Sequence, residues 1–355
     1  MIGERLKRAR AAAGLSMQAL ADQVGVSANM IKKYEHDESM PGSAVLVPLA
    51  RALGVRSEYF FRPVEVELGR VEYRKRARTP VRVLRRIEAD VLDQAERWAE
   101  LANLWPEFPV PEFRLPENLP ARIGALDEVD ELADSLRGAW QLGMNPIPDL
   151  IDELEARGVL VIITDADEAE SFDGLQASVA GKPVIVVSEH WPGDRQRFTL
   201  AHELGHLLLH DRLAPGIPEE KACHRFAAAF LLPAVGIRQH LGEARHHIEP
   251  RELHFLKMEY GLSMQACLYR AGDLEIINQN TLRKTWKLFS RMGWRTREPG
   301  DPCRREQTLL FGQLVYRALG EGIIGESKAA ELLGVPLARF RRERQLGQQD
   351  AATGQ

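Results

Sequence analysis

Apolar positions recur at helical spacing through the first sixty residues. Leu6, Ala13 and Leu15 lead into Ser16, and Ala19, Leu20, Val24, Val26, Ile31 and Tyr34 follow, with Gly25 between the two halves. Ser16 and Ser27 each stand where an N-cap belongs. Val45–Leu53 predicts a further apolar helix, which Gly54 closes. Residues 64–73 alternate weakly, the pattern of a strand, and Pro80 opens a long helical stretch to about Leu104. Residues 105–120 contain Pro106, Pro109, Pro111, Pro116 and Pro120, which makes them the best linker candidate.

Beyond the prolines, Leu126–Trp140 predicts an amphipathic helix and Pro148–Arg157 a short one ended by Gly158. The apolar runs Val159–Ile163 and Pro183–Val187 predict two buried strands. Residues 195–210 and 218–232 read as helices, the second stopped by Pro233. From about residue 249 the pattern stays helical, apart from a loop near Gly293–Pro302. Lys328–Val335 followed by Phe340-Arg341-Arg342 has the spacing of two helices around a turn and is read as structural. The expected fold is mainly α with a small β-sheet (α+β). An all-α bundle occupies 1–62, a basic and Pro-rich linker with a long helix 63–119, a mixed domain 120–290 and a helical C-terminal region 291–355.

With 355 residues, two or three domains are expected. The 45% hydrophobic and 28% charged content excludes a disordered chain, a collagen and a disulfide scaffold. No apolar run approaches the roughly 20 residues of a membrane helix, and the charged N-terminus lacks a signal-peptide core. A cytoplasmic protein without membrane contact is therefore expected. Cys223, Cys267 and Cys303 are too scattered for a disulfide framework or a cysteine zinc cluster. The net charge of −4 conceals a gradient: residues 1–62 and 63–90 each carry +3, which leaves −10 for the remainder. A basic front on an acidic body suggests that the front alone meets a polyanion. The basic run Arg74-Lys75-Arg76-Ala77-Arg78 is more often a solvated face than a phosphate track.

His202-Glu203-Leu204-Gly205-His206 is an H-E-x-x-H motif inside a helical stretch. Four residues make about one turn and 6 Å of rise, so both imidazoles leave one face and can meet a single Zn²⁺ at about 2.0–2.1 Å. Glu203 then faces the metal's water as general base, and Gly205 leaves room for something to lie across the helix. A catalytic zinc takes a third protein ligand. His210 lies about 12 Å from His202 along a straight helix and is rejected. The next helix offers Glu219, Glu220 and His224. Glu220 and His224 share a face, and either acid also reads as an ordinary residue of a helix N-terminus. With Glu220 as ligand, His224 becomes an outer partner that holds a carboxylate or a substrate carbonyl. Cys223 has no aligned base, since the adjacent His224 points about 100° away.

Residues 16–35 form a helix, a turn at Gly25 and a second helix capped by Ser27, which is a helix-turn-helix. Over residues 3–60 the sequence resembles the XRE, or Cro/repressor, family. The resemblance implies that Gln18 reaches a phosphate or base, and that Ser27, Ala28, Asn29 and Lys32 face the major groove. Asn29 suits adenine, and Lys32 or Lys33 suits guanine or phosphate. It also implies a homodimer on a double-stranded operator. The alternative is a bundle that binds protein, which the acidic Asp37 and Glu38 keep open.

The stretch Phe198–His206, followed by Glu220–Pro233, resembles the ImmA/IrrE family of zinc metallopeptidases, and Tyr260–Arg270 resembles that family's trailing helix. The resemblance covers roughly residues 120–290 and implies a zincin-like core with Glu220 as third zinc ligand. The family often has Glu-Ala-Asn where this chain has Ala222-Cys223-His224, so His224 stands outside the family pattern and is open as an occasional ligand. The implied function is a DNA-binding regulator fused to a zinc endopeptidase. Its substrate would be a partner repressor or antitoxin, or the chain itself, in a stress, phage or mobile-element switch. The alternative is a transcription factor or antitoxin whose peptidase-like domain only senses or binds a partner.

Overall fold

The computed structural model describes residues 2–62, 72–75, 80–165, 172–179 and 181–345. The N-terminal bundle consists of α1 (Ile2–Ala12), α2 (Met17–Val24), α3 (Ala28–Glu35), α4 (Ser43–Ala52) and a 3-10 turn at Ser57–Phe61. The Ser16 hydroxyl accepts from the Ala19 amide at 3.0 Å, and Ser27 accepts from Met30 at 3.2 Å, so both serines are N-caps. Leu6, Leu20, Ala21, Ile31, Leu49 and Phe60 close the core. Asp37 accepts from the Gly3 amide at 2.9 Å, which gives that acid a capping role at the start of α1.

The chain continues through β1 (Glu72–Lys75), α5 (Val81–Ala102), α6 (Glu128–Ala139), α7 (Leu150–Glu155), β2 (Leu160–Thr164), β3 (Phe172–Val179) and β4 (Lys182–Ser188). Then come α8 (Gly193–Leu209), α9 (Glu219–Leu231), α10 (Ala234–Leu241), α11 (Pro250–Tyr260), α12 (Met264–Asp273) and α13 (Gln279–Arg291). The last elements are α14 (Leu310–Gly320), α15 (Glu326–Leu332) and α16 (Leu337–Arg344). Among the described residues the sheet order is β1-β3-β4-β2. The β2–β4 pair is parallel, while β3 runs antiparallel to both β4 and β1. No described helix is long and apolar enough to cross a membrane.

Both faces of the sheet are covered, which is why β2 and β4 read as unbroken apolar runs. Ile185 and Val187 pack with Leu200, Ala201 and Leu204 of α8. Val184 and Val186, one residue out of phase, pack on the other face with Ile87, Val91 and Ala95 of α5. The helix expected within the linker thus forms one layer of the sheet domain. Its C-terminal turns continue into a third core, where Leu101 and Trp98 meet Leu314, Val315, Leu332 and Phe340. The Pro-rich stretch is irregular, as expected, but packed: Phe108 and Val110 join that third core, and Phe113 and Leu115 join the main one.

Strand β3 was not foreseen from the sequence. Phe172-Asp173-Gly174-Leu175-Gln176-Ala177-Ser178-Val179 mixes small and polar residues into its apolar positions, so no strong alternation stands out. Of the weak strand expected at 64–73, residues 72 and 73 fall in β1. Arg74 and Lys75 of the basic run also belong to β1, whereas residues 63–71 and 76–79 lie outside the described residues. The helix pair noted near the C-terminus forms as α15 and α16, with Ala329, Ala330 and Phe340 buried.

The expected loop near Gly293–Pro302 extends to Leu309 and straps the peptidase-like domain together. Glu298 accepts from the Met264 and Gln265 amides at 2.9 and 3.0 Å and pairs with the buried Lys257 at 2.9 Å. Glu306 accepts from the Leu150 and Ile151 amides at 2.9 and 3.0 Å and pairs with Arg197 of α8. Removing a carboxylate that is buried with its partner leaves that partner charged and unpaired. Glu306→Ala is therefore expected to lower stability by on the order of 3–5 kcal/mol, read as a fall in the urea midpoint at unchanged slope. A midpoint equal to that of the parent chain would remove Glu306 from this role.

Candidate metal centre and nucleic-acid interface

Helix α8 runs against β3 and β4, and two glycines set how closely its neighbours approach. A Cβ at Gly174 of β3 would stand 2.4 Å from Thr199 Cγ2 and 3.6 Å from Glu203 Oε1. Glu203 is therefore held between helix and sheet, 1% exposed. A Cβ at Gly205 would lie 3.1 Å from Phe226 Cδ1 and 3.3 Å from Cys223 Cα. What lies across Gly205 is α9, and this close crossing brings the acids of its first turn over the α8 histidines.

The Nε2 atoms of His202 and His206 are 3.1 Å apart. Glu220 Oε2 is 3.5 Å from His202 Nε2, and Glu220 Oε1 is 3.5 Å from His206 Nε2. Bonds of 2.0–2.1 Å in a tetrahedron give ligand-to-ligand edges of ~3.3–3.4 Å. These three donors thus have the spacing of one tetrahedral face, and two imidazoles with one carboxylate suit zinc. The His202 imidazole, with the nearby His206 and His224, holds the Glu220 carboxyl down at about 2. Glu220 is accordingly an anion throughout the neutral range.

His224 belongs to the same cluster. A donor atom of His224 lies within 4.8 Å of donors from His202 and Glu220, its ring centroid is 4.6 Å from that of His202, and its Nδ1 is 2.6 Å from the Glu220 carbonyl oxygen. It is exposed and lines a groove of about 910 Å³ beside Trp191, Phe198, Tyr269 and Arg297, within the size range of ligand sites. The sequence reading undervalued Glu219, whose alternative reading was a helix N-terminal acid. Its Oε1 is 3.0 Å from His206 Nδ1 and 3.6 Å from His210 Nδ1. A carboxylate on Nδ1 fixes the tautomer that turns Nε2 toward a metal. The available signal was its position beside Glu220, which puts both acids on the same first turn. Cys223 is fully buried under α8, and all three cysteines are free thiols.

At the other end of the chain, α3 turns Ser27, Asn29, Lys32 and Lys33 to solvent, with Ala28 half-buried beside them. Gln18 is exposed on α2 and donates to Asp22 at 2.7 Å. The opposite face of α3 buries Ile31, Tyr34 and Glu35, and Arg10 of α1 pairs with Glu35 at 2.5 Å. The residues expected at a major groove therefore share one accessible surface.

Fold and site define a helix-turn-helix module joined to a zincin-like peptidase module. Residues 6–60 match a helix-turn-helix family model, and residues 154–271 match the IrrE N-terminal-like domain of the M78 peptidases. The chain carries an XRE-type helix-turn-helix domain and an IrrE-like peptidase domain. Among curated proteins, it is 36% identical over 64 residues to an uncharacterized transcriptional regulator in the ATPase CF(0) region of Rhodospirillum rubrum, covering 18% of this chain and 59% of that protein. It is also 36% identical over 62 residues to the SPbeta prophage-derived uncharacterized HTH-type transcriptional regulator YonR of Bacillus subtilis (strain 168), covering 18% of this chain and 57% of that protein. The chain thus spans somewhat over half the length of each of these relatives.

The purified protein is expected to hold one zinc per chain, measured by elemental analysis. His202→Ala should empty the site, and full occupancy in that variant rejects the ligand assignment. Glu219→Ala should weaken zinc by about 10–100-fold through the loss of its hold on His206. On the DNA side, Asn29→Ala should cost about 1–3 kcal/mol on the cognate site and little elsewhere. Wild-type binding should fall steeply with salt as counterions are released. Equal losses on random and cognate DNA would mean that Asn29 reads no base.

Proposed function

We infer that the protein is a transcriptional regulator that binds an operator through residues 6–60, as a homodimer, and cleaves a regulatory protein with a zinc-dependent endopeptidase. The observation that carries this reading is the presence of Glu203 beside the converging His202, His206 and Glu220 donors, on the same chain as an exposed recognition helix. A protein that only senses a partner has no use for a base at Glu203. A relative with a prophage-derived regulator's name agrees with a mobile-element or stress switch.

The division of labour follows from the residues. Zinc, held by the two histidines and Glu220, supplies Lewis acidity and lowers the pKa of a bound water to about 7. Glu203 takes the proton from the attacking water and hands it to the leaving amine. Glu219 keeps His206 in the ligating tautomer. His224, at the rim of the groove, is in position to donate to a substrate carbonyl.

One observation favours a role for the chain's own linker. An extended peptide binds most readily by adding a strand to a sheet edge. β1 already pairs along β3, with Arg74 in register with Gly174, the residue closest to Glu203 on that strand. A partner's extended segment has to displace β1, or the linker is itself cut. Partner cleavage is the principal reading, because a self-cutting regulator is consumed by its first turnover.

Incubation of the zinc-loaded protein with the products of neighbouring genes should yield cleavage that Glu203→Gln abolishes while zinc is retained. Turnover by Glu203→Gln at the parental rate would reject the mechanism. Mass spectrometry of the protein from induced cells should show an intact chain of 39.9 kDa while the target genes are expressed. A cut between about Arg74 and Pro120 would instead make the linker the substrate.

A further inference from the structure

A second cavity, remote from the metal centre, lies where α5, the Pro-rich segment and the start of β2 meet. Its volume is about 620 Å³, well within the range of small-molecule sites. The walls are apolar and aromatic, with Trp98 of α5 and Phe108 of the Pro-rich segment set edge to face at 6.1 Å, and with Val110 and Val179 beside them. Lys182 stands at the exposed rim, its ammonium 5.9 Å from the Phe108 ring centroid.

One wall residue is out of character. Glu155, the last residue of α7, is 2% exposed, and neither carboxylate oxygen has a hydrogen-bond partner among the described residues. Burial pushes its carboxyl up to about 8, with Asp152 and Asp149 adding to the rise and only the Leu310 amide opposing it. A buried polar group without a partner costs stability, and no packing need is met by an acid here rather than by a leucine. Such a group is suited to an incoming donor that satisfies it.

We propose that this cavity is a binding site for a small organic cation with a flat apolar body, its ammonium on Glu155 and its ring between Trp98 and Phe108. Charge sets the orientation: an acid lies inside the cavity and a lysine at the rim, so a cationic head enters first and an anionic one is repelled. The location links the site to both modules. Trp98 is two residues from Glu96, the α5 carboxylate that pairs with Arg5 and Arg8 of the DNA-binding bundle. Glu155 ends the helix whose first amides are held by Glu306, the partner of Arg197 on the metal-bearing α8. A ligand here is in contact with the helix that carries the DNA-binding bundle and with one bridged to the metal helix, which is a position for an inducing signal.

Three probes with one ring system and different charge test the assignment on the full chain by calorimetry: tryptamine, indole and indole-3-acetate. Tryptamine should bind one to one and at least tenfold more tightly than indole-3-acetate. Glu155→Gln should lose at least tenfold in tryptamine affinity and leave indole unchanged. Ala99→Phe, which fills the cavity from α5 and keeps the acid, should abolish binding of tryptamine and indole together, and it serves where the Glu155 variant does not fold. Absence of tryptamine binding, equal affinity for the acetate, or an unchanged affinity in either folded variant would overturn the proposal.

Discussion

Helix α5 has packing obligations on every side, and the arrangement of the whole chain depends on them. Ile87, Val91 and Ala95 cover one face of the sheet, while Trp98 and Leu101 enter the core of the C-terminal helices. Glu96 accepts from Arg5 and Arg8 of the N-terminal bundle, and Lys328 of α15 pairs with Glu100. A helix with partners all round cannot rotate or slide without breaking at least one of these contacts. Three modules that could drift on flexible tethers are instead referred to a single rigid axis.

The metal centre depends on a different economy, close approach. The histidines of α8 supply two donors on one face, but the third reaches them only because residue 205 has no side chain and α9 can cross within contact distance. The same crossing brings Glu219 to His206, so one backbone approach provides both a ligand and the group that orients another ligand. On the opposite side of α8, the bare Gly174 lets Thr199 and Glu203 settle against β3. The base is thereby aligned with a sheet edge along which an extended chain can lie.

Much of this was legible in the residues. The two N-cap serines, the turn at Gly25 and the spacing of Leu20, Ile31 and Tyr34 specify the N-terminal bundle, because local capping and helical periodicity are written within a few residues of one another. The H-E-x-x-H pair was legible for the same reason. Glu220 needed the family resemblance to separate it from Glu219, since sequence spacing alone does not say which acid of a first turn points inward. Strand β3 was hidden because its core contacts alternate with glycine, serine and glutamine. The structural part played by α5 was hidden because a helix between two motifs reads as a spacer until its partners, up to 235 residues away in sequence, are known. The buried Glu155 has no sequence signature at all: it looks like any other acid in Asp152-Glu153-Leu154-Glu155.

The strap that carries Glu306 has a consequence for the order in which the molecule is built. Arg197 and its carboxylate partner are separated by 109 residues. At synthesis rates of about 5–20 residues per second, Glu306 leaves the ribosome roughly 5–20 seconds after the metal-bearing helix. The N-terminal bundle, whose contacts are local, has time to fold long before. During that interval α7 lacks the acid that holds its first amides and Arg197 lacks its counter-charge. Vectorial synthesis therefore delivers the DNA-binding end first and completes the hydrolytic end last, so a nascent chain can recognise an operator before it is equipped to cut.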